Sequence, residues 1–507
     1  MSGKRATAPA KGAAAWGDVI GGVSAALVLV PQALAYATLA GLPPERGLYV
    51  AVLAPLAAAF FASSPYLGTG PTAVTSLLTF GALSAIAMPG TPDYIALAGL
   101  LAVMVGAIRV LLGLARGGIL AYLMSQPVVL GFTTGAGVVI LALQVPTVLG
   151  LSAESDNPFV AAAKALMKPG DWDLGAIVVA VLAAVAIIGG RRIHRLFPGV
   201  LAAVVIGIAV SDAWSFGGPV VGDIAHGFPP FTFDLPWSST LDLLTPALVI
   251  AVIGFSEPAS IARQYATLER QRWDPHRELI SQGVANLAAG FGGGFPAGGS
   301  FTRSALVRDS GARTRLSGGI TGVVVLLLLP AMGLLAELPT AVLGATIMVA
   351  VRELVSPGPF IRYRRYARLQ FSIAAVTFLL TVLLAPHVEW AVVVGVVMAI
   401  LAHLWRELRI SIPTWTSNGS LHLAPKGVLY FASAPGLEEA FSNLLSEHPE
   451  ADHLVVHLDG LGRVDLTGAL VLASLLEDAK GAGLTTEIVD VPPQAEKIIR
   501  RVIGGLS

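Results

Sequence analysis

Cysteine is absent from this chain of 507 residues, and charged residues make up only 13% of it. The first absence excludes disulfides, thiolate metal sites and cysteine nucleophiles. The second, beside 55% hydrophobic residues, excludes an ordinary soluble globule with a charged coat. The nine histidines show no metal-ligand spacing, and no serine, histidine and aspartate stand in a catalytic arrangement. The composition therefore indicates a membrane protein, and we expect neither an enzymatic site nor a cofactor.

The charges that are present are unevenly distributed. Residues 411–507 hold six basic and twelve acidic residues, so the preceding 410 residues carry a net charge of +6. We therefore predict two physically different parts that are joined near residue 411. At the start of the chain, Lys4, Arg5 and Lys11 lead into a long apolar run without a processing site, which predicts a first membrane span rather than a cleaved signal peptide.

The apolar runs fall into two sets of seven. A helix that crosses the hydrocarbon core needs about 20 residues, or fewer where it is short or broken. The first set occupies residues 17–41, 47–63, 71–88, 92–114, 118–149, 174–190 and 198–214. The second set occupies residues 242–262, 277–294, 301–311, 317–337, 339–354, 368–385 and 387–408. The sequence predicts an α-helical polytopic membrane protein with 14 spans, or with twelve if two short runs are re-entrant.

Basic residues indicate the orientation of these spans. With the N-terminus inside, the predicted inner segments contain most of the arginines, including Arg109, whereas the predicted outer loops hold only Arg46, Lys164 and Lys168. Cytoplasmic loops collect lysine and arginine. We therefore expect a multi-pass protein of the cell (inner) membrane with both termini in the cytoplasm.

An internal repeat relates the two sets. A shift of 231 positions pairs Ala54–Gly68 with Ala285–Gly299, and seven of these fifteen residues are identical. Because seven spans is an odd number, the two halves are inverted in the membrane, as in secondary transporters whose site lies between the repeats. The predicted parts are a cytoplasmic N-terminal segment 1–15, a first repeat 16–214, an extracellular loop 215–241, a second repeat 242–410, a linker 411–419 and a soluble domain 420–507.

Two short helices are predicted to begin inside the membrane, one after Gly68–Pro71 and the other after Gly292–Ser300. A buried helix start has unpaired N–H groups and about half a positive charge, and glycines let a ligand approach the backbone. Two such starts that point at one cavity favour an anion. The alternative is that these glycines only pack helices closely.

Two charged side chains in the predicted spans are candidates for function. Arg303 is the only arginine that the predicted map places within a span, and a buried cation in lipid is costly unless it is compensated. The alternatives for Arg303 are snorkelling to the cytoplasm and a structural ion pair. Glu257 is the lone acid of the eighth span, and burial favours the protonated form, so it is suited to carry H⁺. Coordination of Na⁺ and a structural pair with Arg303 are the alternatives for Glu257.

Gln32 and Tyr36 lie four residues apart on one face of the first span, beside Pro31. They offer hydrogen-bond donors without net charge, which suits an anion that must be released again. The alternative is that Gln32 satisfies a carbonyl that Pro31 leaves free, while Tyr36 belongs to the core.

The stretch Pro31–Tyr49 resembles the first-span signature of the SulP anion transporters, solute carrier family 26. Gly70–Ala73 and Ser300–Ser304, followed by Gly311–Thr314, resemble the third and tenth spans of that family. The resemblance covers almost the whole chain. It implies a seven-plus-seven inverted repeat with core and gate domains, usually a homodimer that works by an elevator-like movement of the core.

The resemblance also implies functional positions. The positions that match the family's anion site are Gln32, Tyr36, Thr72, Thr302 and Arg303, and we add their neighbours at the helix starts, Pro71, Ser300 and Phe301. An acid in the eighth span, here Glu257, is similar to the ion-coupling position of prokaryotic members.

The tail resembles the STAS domain that these transporters share with anti-sigma-factor antagonists. Predicted strands and helices alternate at Gly427–Phe431, 435–447, His453–Leu458, 467–481 and 493–503. Asp465–Gly468 matches the loop that is phosphorylated in the antagonists, but we interpret Thr467 as the cap of the next helix. A cytoplasmic regulatory partner of this domain is expected.

Together these observations predict a secondary active transporter of small anions of the sulfate, bicarbonate or dicarboxylate class. It is expected to be a proton-coupled symporter that holds its anion between the starts of the third and tenth spans. Sodium-coupled bicarbonate uptake and an anion-sensing scaffold that signals through the tail are alternatives. A nucleobase carrier of the same architecture is disfavoured, because such sites read a heterocycle with side chains, and nothing separate supports nucleic-acid binding.

Overall fold

The structure, a computed structural model, describes residues 11–119, 125–193, 197–213, 216–224, 227–408, 410–417, 419–431 and 433–504. These residues divide into two compact units, with the boundary between Val396 and Val397. The first unit is almost entirely helical, whereas the second combines helices with a sheet.

The helices of the first unit follow the predicted apolar runs closely. In chain order they are α1 (Lys11–Leu39), α2 (Pro44–Phe61), α3 (Ala73–Ser84), α4 (Pro92–Leu114), α5 (Gln126–Val148), α6 (Pro158–Met167), α7 (Leu174–Ile193), α8 (Gly199–Ala213), α9 (Leu244–Leu268), α10 (Pro275–Phe291), α11 (Phe301–Asp309), α12 (Leu316–Leu328), α13 (Thr340–Val351), α14 (Pro357–Tyr366), α15 (Arg368–Leu383) and α16 (Val388–Leu408), the last of which crosses the boundary between the units. Two short strands, β1 (Gly68–Gly70) and β2 (Gly298–Ser300), precede α3 and α11.

Each of the fourteen predicted runs contains one of these helices, and α6 and α14 are additional. The additional helices follow the fifth and twelfth runs, which are equivalent positions in the two sets. Among the described residues, α1, α4, α5, α9, α12 with its 3₁₀ extension, and α16 are long and apolar enough to cross a membrane, and several others are apolar but shorter. The polytopic helical fold is confirmed, while the number of crossings stays a prediction.

Proline marks the beginning of several helices. Pro44, Pro92, Pro158, Pro275 and Pro357 each occupy the first helical position. A proline is tolerated there because that position has no intrahelical N–H bond to lose, and its fixed φ suits the helix. Three of these starts are also capped by the side chain that precedes the proline.

The helices form two groups that correspond to the predicted core and gate. Helices α1–α4 pack with α9–α12, and α5–α8 pack with α13 and α15. Each group draws its members from both sets of seven. The core group therefore contains the two short helices and their strands.

A glycine seam joins α4 to α10 inside the core group. Gly99, Gly106 and Gly113 are spaced seven residues apart on α4 and face α10, where Gly283 and Gly290 have the same spacing. A Cβ atom at Gly106 would lie 2.7 Å from the backbone nitrogen of Leu287. Small residues allow backbones to approach closely in this way, and the side chains of Leu287, Ile280, Val110 and Val103 fill the space beside the glycines.

The second unit contains a sheet in the order β3-β4-β6-β8 and a separate parallel pair, β5-β7. Its elements are β3 (Thr414–Ser417), β4 (Ser420–Leu423), β5 (Gly427–Leu429), α17 (Ala434–Glu447), β6 (His453–His457), β7 (Leu461–Val464), α18 (Leu466–Gly481), β8 (Thr485–Val489) and α19 (Pro493–Ile503). One face of the sheet buries Leu421, Leu423, Leu454 and Val456 in the core of this unit. The predicted α/β alternation is confirmed.

Two predictions about this unit are wrong. The predicted linker 411–419 contains β3, which pairs antiparallel with β4. Trp415 of β3 stacks on His422 of β4. The polar residues around Trp415 in the sequence do not indicate this contact. Thr467 is not the cap of α18. Asp465 is the cap, since its carboxylate accepts the N–H of Gly468 at 2.7 Å, and Thr467 is an exposed residue of the first turn.

The other face of the sheet carries a cluster of aromatic and imidazole rings. The Trp415 ring stacks on the imidazoles of His422 and His457, with centroid separations of 5.0 and 5.2 Å. Nδ1 of His422 and Nε2 of His457 are 3.0 Å apart, so one ring donates to the other and full protonation of both would break the bond. Burial, with the neighbouring His457 and His453, lowers the pKa of His422.

We expect this face to loosen as the pH falls through about 6.5, the pKa of an unfolded histidine. Because the folded pKa of His422 is lower, the unfolded state binds more protons below that pH. The contribution of neutral His422 to the free energy of unfolding is complete above about pH 6.5. It is lost as the pH falls from there to the pKa of His422 in the folded protein. Hydrogen exchange of the full-length protein at about pH 7.5 and about pH 5.5, corrected for intrinsic rates, should show faster exchange of β3 and β4 at the lower pH.

The matched variants are His422→Gln, which should lose most of this pH dependence, and His448→Gln, which lies outside the ring cluster and should keep it. A pH dependence that is the same in the wild type and in His422→Gln would contradict the expectation.

Candidate functional site

The two predicted helix breaks lie side by side. β1 and β2 pair antiparallel, with Thr69 opposite Gly299, and each strand leads into a short helix. In an apolar environment an unpaired backbone group is costly, and the two broken segments satisfy each other. This pairing brings the starts of α3 and α11 together, as the sequence predicts.

Each short helix has a capping side chain. Thr72 caps α3, because its Oγ1 accepts the N–H of Thr75 at 3.3 Å. Ser300 caps α11, because its Oγ accepts the N–H of Arg303 at 3.5 Å. Pro71 is buried between β1 and the first cap. A helix start leaves four N–H groups without intrahelical partners, so each cap engages only part of its helix start.

Arg303 is only 1% exposed and is held by neutral oxygens. Its Nη1 donates to Oε1 of Gln32 at 3.2 Å and its Nη2 to the carbonyl of Gly68 at 3.3 Å. Its Nε has no hydrogen-bond partner within the described part of the chain. The guanidinium is therefore fixed beside the β1–β2 pair, and its charge is not cancelled at bonding distance.

Gln32 and Tyr36 reach the same place from α1. The amide oxygen of Gln32 is engaged by Arg303, so this side chain orients the arginine. Tyr36 is buried and lies close enough to Arg303 and Glu257 to interact with both electrostatically.

Glu257 meets the start of α11 from α9. Its carboxyl group lies near the guanidinium of Arg303 and the backbone N–H of Phe301, the first residue of α11, and interacts electrostatically with both. Helix α9 packs against β2, which accounts for this approach. A carboxylate thus lies beside the helix start that the sequence assigns to an anion.

A cavity of about 1020 Å³ opens in front of these groups. On the core side it is lined by Thr72, Glu257 and Phe301. On the opposite side its polar lining residues include Gln126, Thr133, Glu353, Arg362 and Tyr363. This volume is large enough for a small hydrated ligand, and the cavity lies between the two helix groups.

Of the candidate residues, Thr72, Glu257 and Phe301 line this cavity, whereas Gln32, Tyr36, Pro71, Ser300, Thr302 and Arg303 do not. Thr302 lies elsewhere. It faces a second cavity of about 320 Å³. Phe301, which is 40% exposed, lines both cavities. Helical geometry turns consecutive residues by about 100°, which separates Thr302 from Thr72 and Glu257.

Arg109 corrects the predicted map, in which Arg303 is the only arginine within a span. Arg109 is fully buried in α4 and donates to the carbonyls of Ile250, Ala251 and Ala297 at 3.0 to 3.1 Å. The predicted map rests on a count of basic residues near the ends of spans, and such a count cannot show that the side chain of Arg109 points into the interior of the protein. Arg109 ties α9, which carries Glu257, to the segment before β2.

Two further polar residues near the site are missed by the sequence analysis. Gln282 and Asn286 on α10 are fully buried and contact the segments that precede α3 and α11. The sequence feature that could have indicated them is a pair of amide side chains, four residues apart, inside a predicted apolar span. Polar residues are costly there, so they usually have a specific role.

Gly68 offers a test of this geometry. A Cβ atom at Gly68 would lie 2.7 Å from the Cβ of Arg303, so Gly68→Ala should push β1 away from α11 and destabilise the fold by about 1–3 kcal/mol. Gly318→Ala is the matched control, because its nearest neighbour would be 3.8 Å away. Thermal unfolding in detergent should show a lower Tm for Gly68→Ala alone, and equal Tm values would contradict the described packing.

Comparison with known proteins agrees with this arrangement. The model of the sulfate permease family matches residues 15–377, and the model of the STAS domain matches residues 411–503. A probable sulfate transporter of Mycobacterium tuberculosis is 36% identical over 401 residues, which are 77% of this chain and 70% of that protein.

Solved structures show the same fold at low sequence identity. Murine solute carrier 26 family member A9, in the inward-facing state, is 21% identical, with a TM-score of 0.85 over 98% of this chain and 92% of that one. The transmembrane domain of the cyanobacterium bicarbonate transporter BicA is 24% identical, with a TM-score of 0.65 over 76% of this chain and 97% of that one. The helix starts are paired as the third-span and tenth-span motifs predict. Because the family match covers most of its length, this chain belongs to the sulfate permease family of anion transporters.

Proposed function

We propose that this chain is a secondary active transporter that carries a small anion and a proton in the same direction. The anion is held between the starts of α3 and α11, in the cavity lined by Thr72, Glu257 and Phe301. The observation that carries the proposal is the position of Glu257, which lines this cavity and lies near Arg303 and the N–H of Phe301 at the start of α11.

A charged Glu257 competes with an anion for that helix start. Two unit charges about 4 Å apart interact by about 4 kcal/mol at an effective dielectric constant of about 20. A helix start attracts an anion by at most about 2 kcal/mol. Because the repulsion exceeds the attraction, the anion binds when Glu257 carries a proton. Anion and proton are therefore bound together and released together, which is symport.

The groups at the site suit oxyanions. Backbone N–H groups and the hydroxyl of Thr72 bind sulfate, bicarbonate or a carboxylate by similar contacts, and the relatives named for sulfate and bicarbonate support this class of substrate. Arg303 adds long-range attraction without an ion pair of its own. Sodium-coupled bicarbonate uptake is the alternative, in which Na⁺ instead of H⁺ neutralises Glu257.

The packing supports an elevator-like movement of the core group against the gate group. The glycine seam between α4 and α10 makes the core stiff, whereas the cavity separates core from gate. Such a movement carries the paired helix starts as one body from one side of the membrane to the other. A homodimer of the chain is part of this proposal.

The distribution of charge supports cytoplasmic termini in the cell inner membrane. Helix α14 has no buried residue and carries Arg362, Arg364 and Arg365, which suits a loop on the inner side. On this orientation the STAS domain lies in the cytoplasm, where it is available to a regulatory partner.

Substitution of Glu257 tests the coupling. Glutamine mimics the neutral acid, so Glu257→Gln should bind the anion equally well at all pH values, whereas the wild type should bind it more tightly as the pH falls. In proteoliposomes, uptake of radiolabelled sulfate or bicarbonate by the wild type should rise with an inward proton gradient. Glu257→Gln should lose this accumulation driven by the proton gradient. It should still let the anion move down the anion's own concentration gradient.

Glu389→Gln is the matched control. Glu389 is a buried glutamate at the start of α16, and it does not line the cavity. Its variant should keep the response to the proton gradient. Full accumulation by Glu257→Gln would rule out the proposed role, and a wild type that responds to a sodium gradient only would favour the sodium alternative. Anion binding without any flux would favour the sensing scaffold.

A further inference from the structure

Helix α10 carries three polar side chains on one face. Glu278, Gln282 and Asn286 are spaced four residues apart, which places them one above the other along the helix. All three are fully buried, although α10 lies in the apolar interior of the core group. A buried polar stripe is costly unless it satisfies other polar groups.

The first member of the stripe holds the loop after α2. Oε2 of Glu278 accepts the N–H groups of Ser63 and Ser64 at 3.1 and 2.7 Å. These residues lie in the non-helical segment that leads to β1. The base of that segment is therefore fastened to α10.

The next two members hold the segments immediately before the short helices. Nε2 of Gln282 donates to Oγ1 of Thr69 at 2.9 Å. Asn286 accepts the N–H of Ala297 at 2.9 Å and donates to its carbonyl at 3.2 Å. Both backbone groups of Ala297 are thus bound by one amide side chain.

These contacts lie at the same distance along the chain from the two helix caps. Thr69 lies three residues before the cap Thr72, and Ala297 lies three residues before the cap Ser300. Gln282 and Asn286 are about one helical turn apart on α10. The spacing of these two side chains along one rigid helix, α10, therefore fixes the distance between the starts of α3 and α11.

The β1–β2 pair alone offers little resistance to a change in that separation. Four of its six residues are glycines, namely Gly68, Gly70, Gly298 and Gly299, and glycine supplies no side chain to lock the register. Arg303 binds the carbonyl of Gly68 and Arg109 that of Ala297, and the amides on α10 add a restraint that reaches both segments from one helix.

We propose that Gln282 and Asn286 are positioning residues that set the distance between the two helix starts and thereby the size of anion that the site accepts. This inference rests on the proposed anion transport. Neither residue needs to touch the anion, since each acts through the segment that it holds.

The test compares two anions of different shape in proteoliposomes. Uptake of radiolabelled sulfate gives its KM, and inhibition by bicarbonate gives the relative affinity of the second anion. Gln282→Met and Asn286→Leu remove the amides with little change in volume. Each should change the ratio of the two affinities by at least about fivefold, the factor that corresponds to one typical hydrogen bond.

Ser281→Ala is the matched control. Ser281 is also fully buried on α10 and its hydroxyl donates to the carbonyl of Ala58, away from both helix starts. Loss of this hydroxyl should lower Tm, as the other two variants do. It should leave the ratio of the sulfate and bicarbonate affinities unchanged. A ratio that shifts equally in Ser281→Ala would reduce the stripe to a structural role and overturn the inference.

Thr69 provides a second route if an α10 variant does not fold. Thr69→Ser keeps the hydroxyl that accepts from Gln282 and should keep the wild-type ratio, whereas Thr69→Val removes it and should shift the ratio as Gln282→Met does. Unchanged ratios in all folded variants, with a wild type that transports, would overturn this inference alone. A wild type that takes up neither anion would instead contradict the proposed function.

Discussion

The structure depends on one constraint, which is that a helix interrupted in an apolar interior must find partners for its backbone polar groups. In this chain two helical segments are each preceded by a short extended strand, β1 and β2, and these two strands pair with each other. Arg303 then binds a carbonyl of the first break, and Arg109 binds a carbonyl beside the second. Each repeat thus completes the other, and neither helix start can exist in its described form alone.

The same constraint explains the distribution of charge around the cavity. Arg303 is held by neutral oxygens, and Glu257 interacts with the guanidinium and with the N–H of Phe301 at longer range. Within the described part of the chain neither charge stands in a close ion pair, and the carboxyl group of Glu257 faces the cavity. A tight Arg–Glu pair would be more satisfied and less useful, since breaking a buried pair costs several kcal/mol.

Much of this architecture could be predicted from the sequence, because apolar runs and glycine-proline breaks are local signals. The positions of the helices and of the paired starts near Thr72 and Ser300 follow from them. The inward turn of Arg109, the separation of Thr302 from the main cavity and the anchoring role of Asn286 could not be predicted. They depend on which backbone groups lie opposite a side chain across the fold, and a single sequence carries no record of those distant neighbours.

The pairing of β1 with β2 joins residues about 230 positions apart in the chain. At a synthesis rate of roughly 5–20 residues per second, the second strand leaves the ribosome roughly 10–45 s after the first. During that interval the first break has no partner strand, and the glycine-rich edge must be shielded by the insertion machinery or by water. Completion of the β1–β2 pair is therefore a late event in biogenesis, and a chain truncated before residue 298 would be left with an open edge inside the membrane.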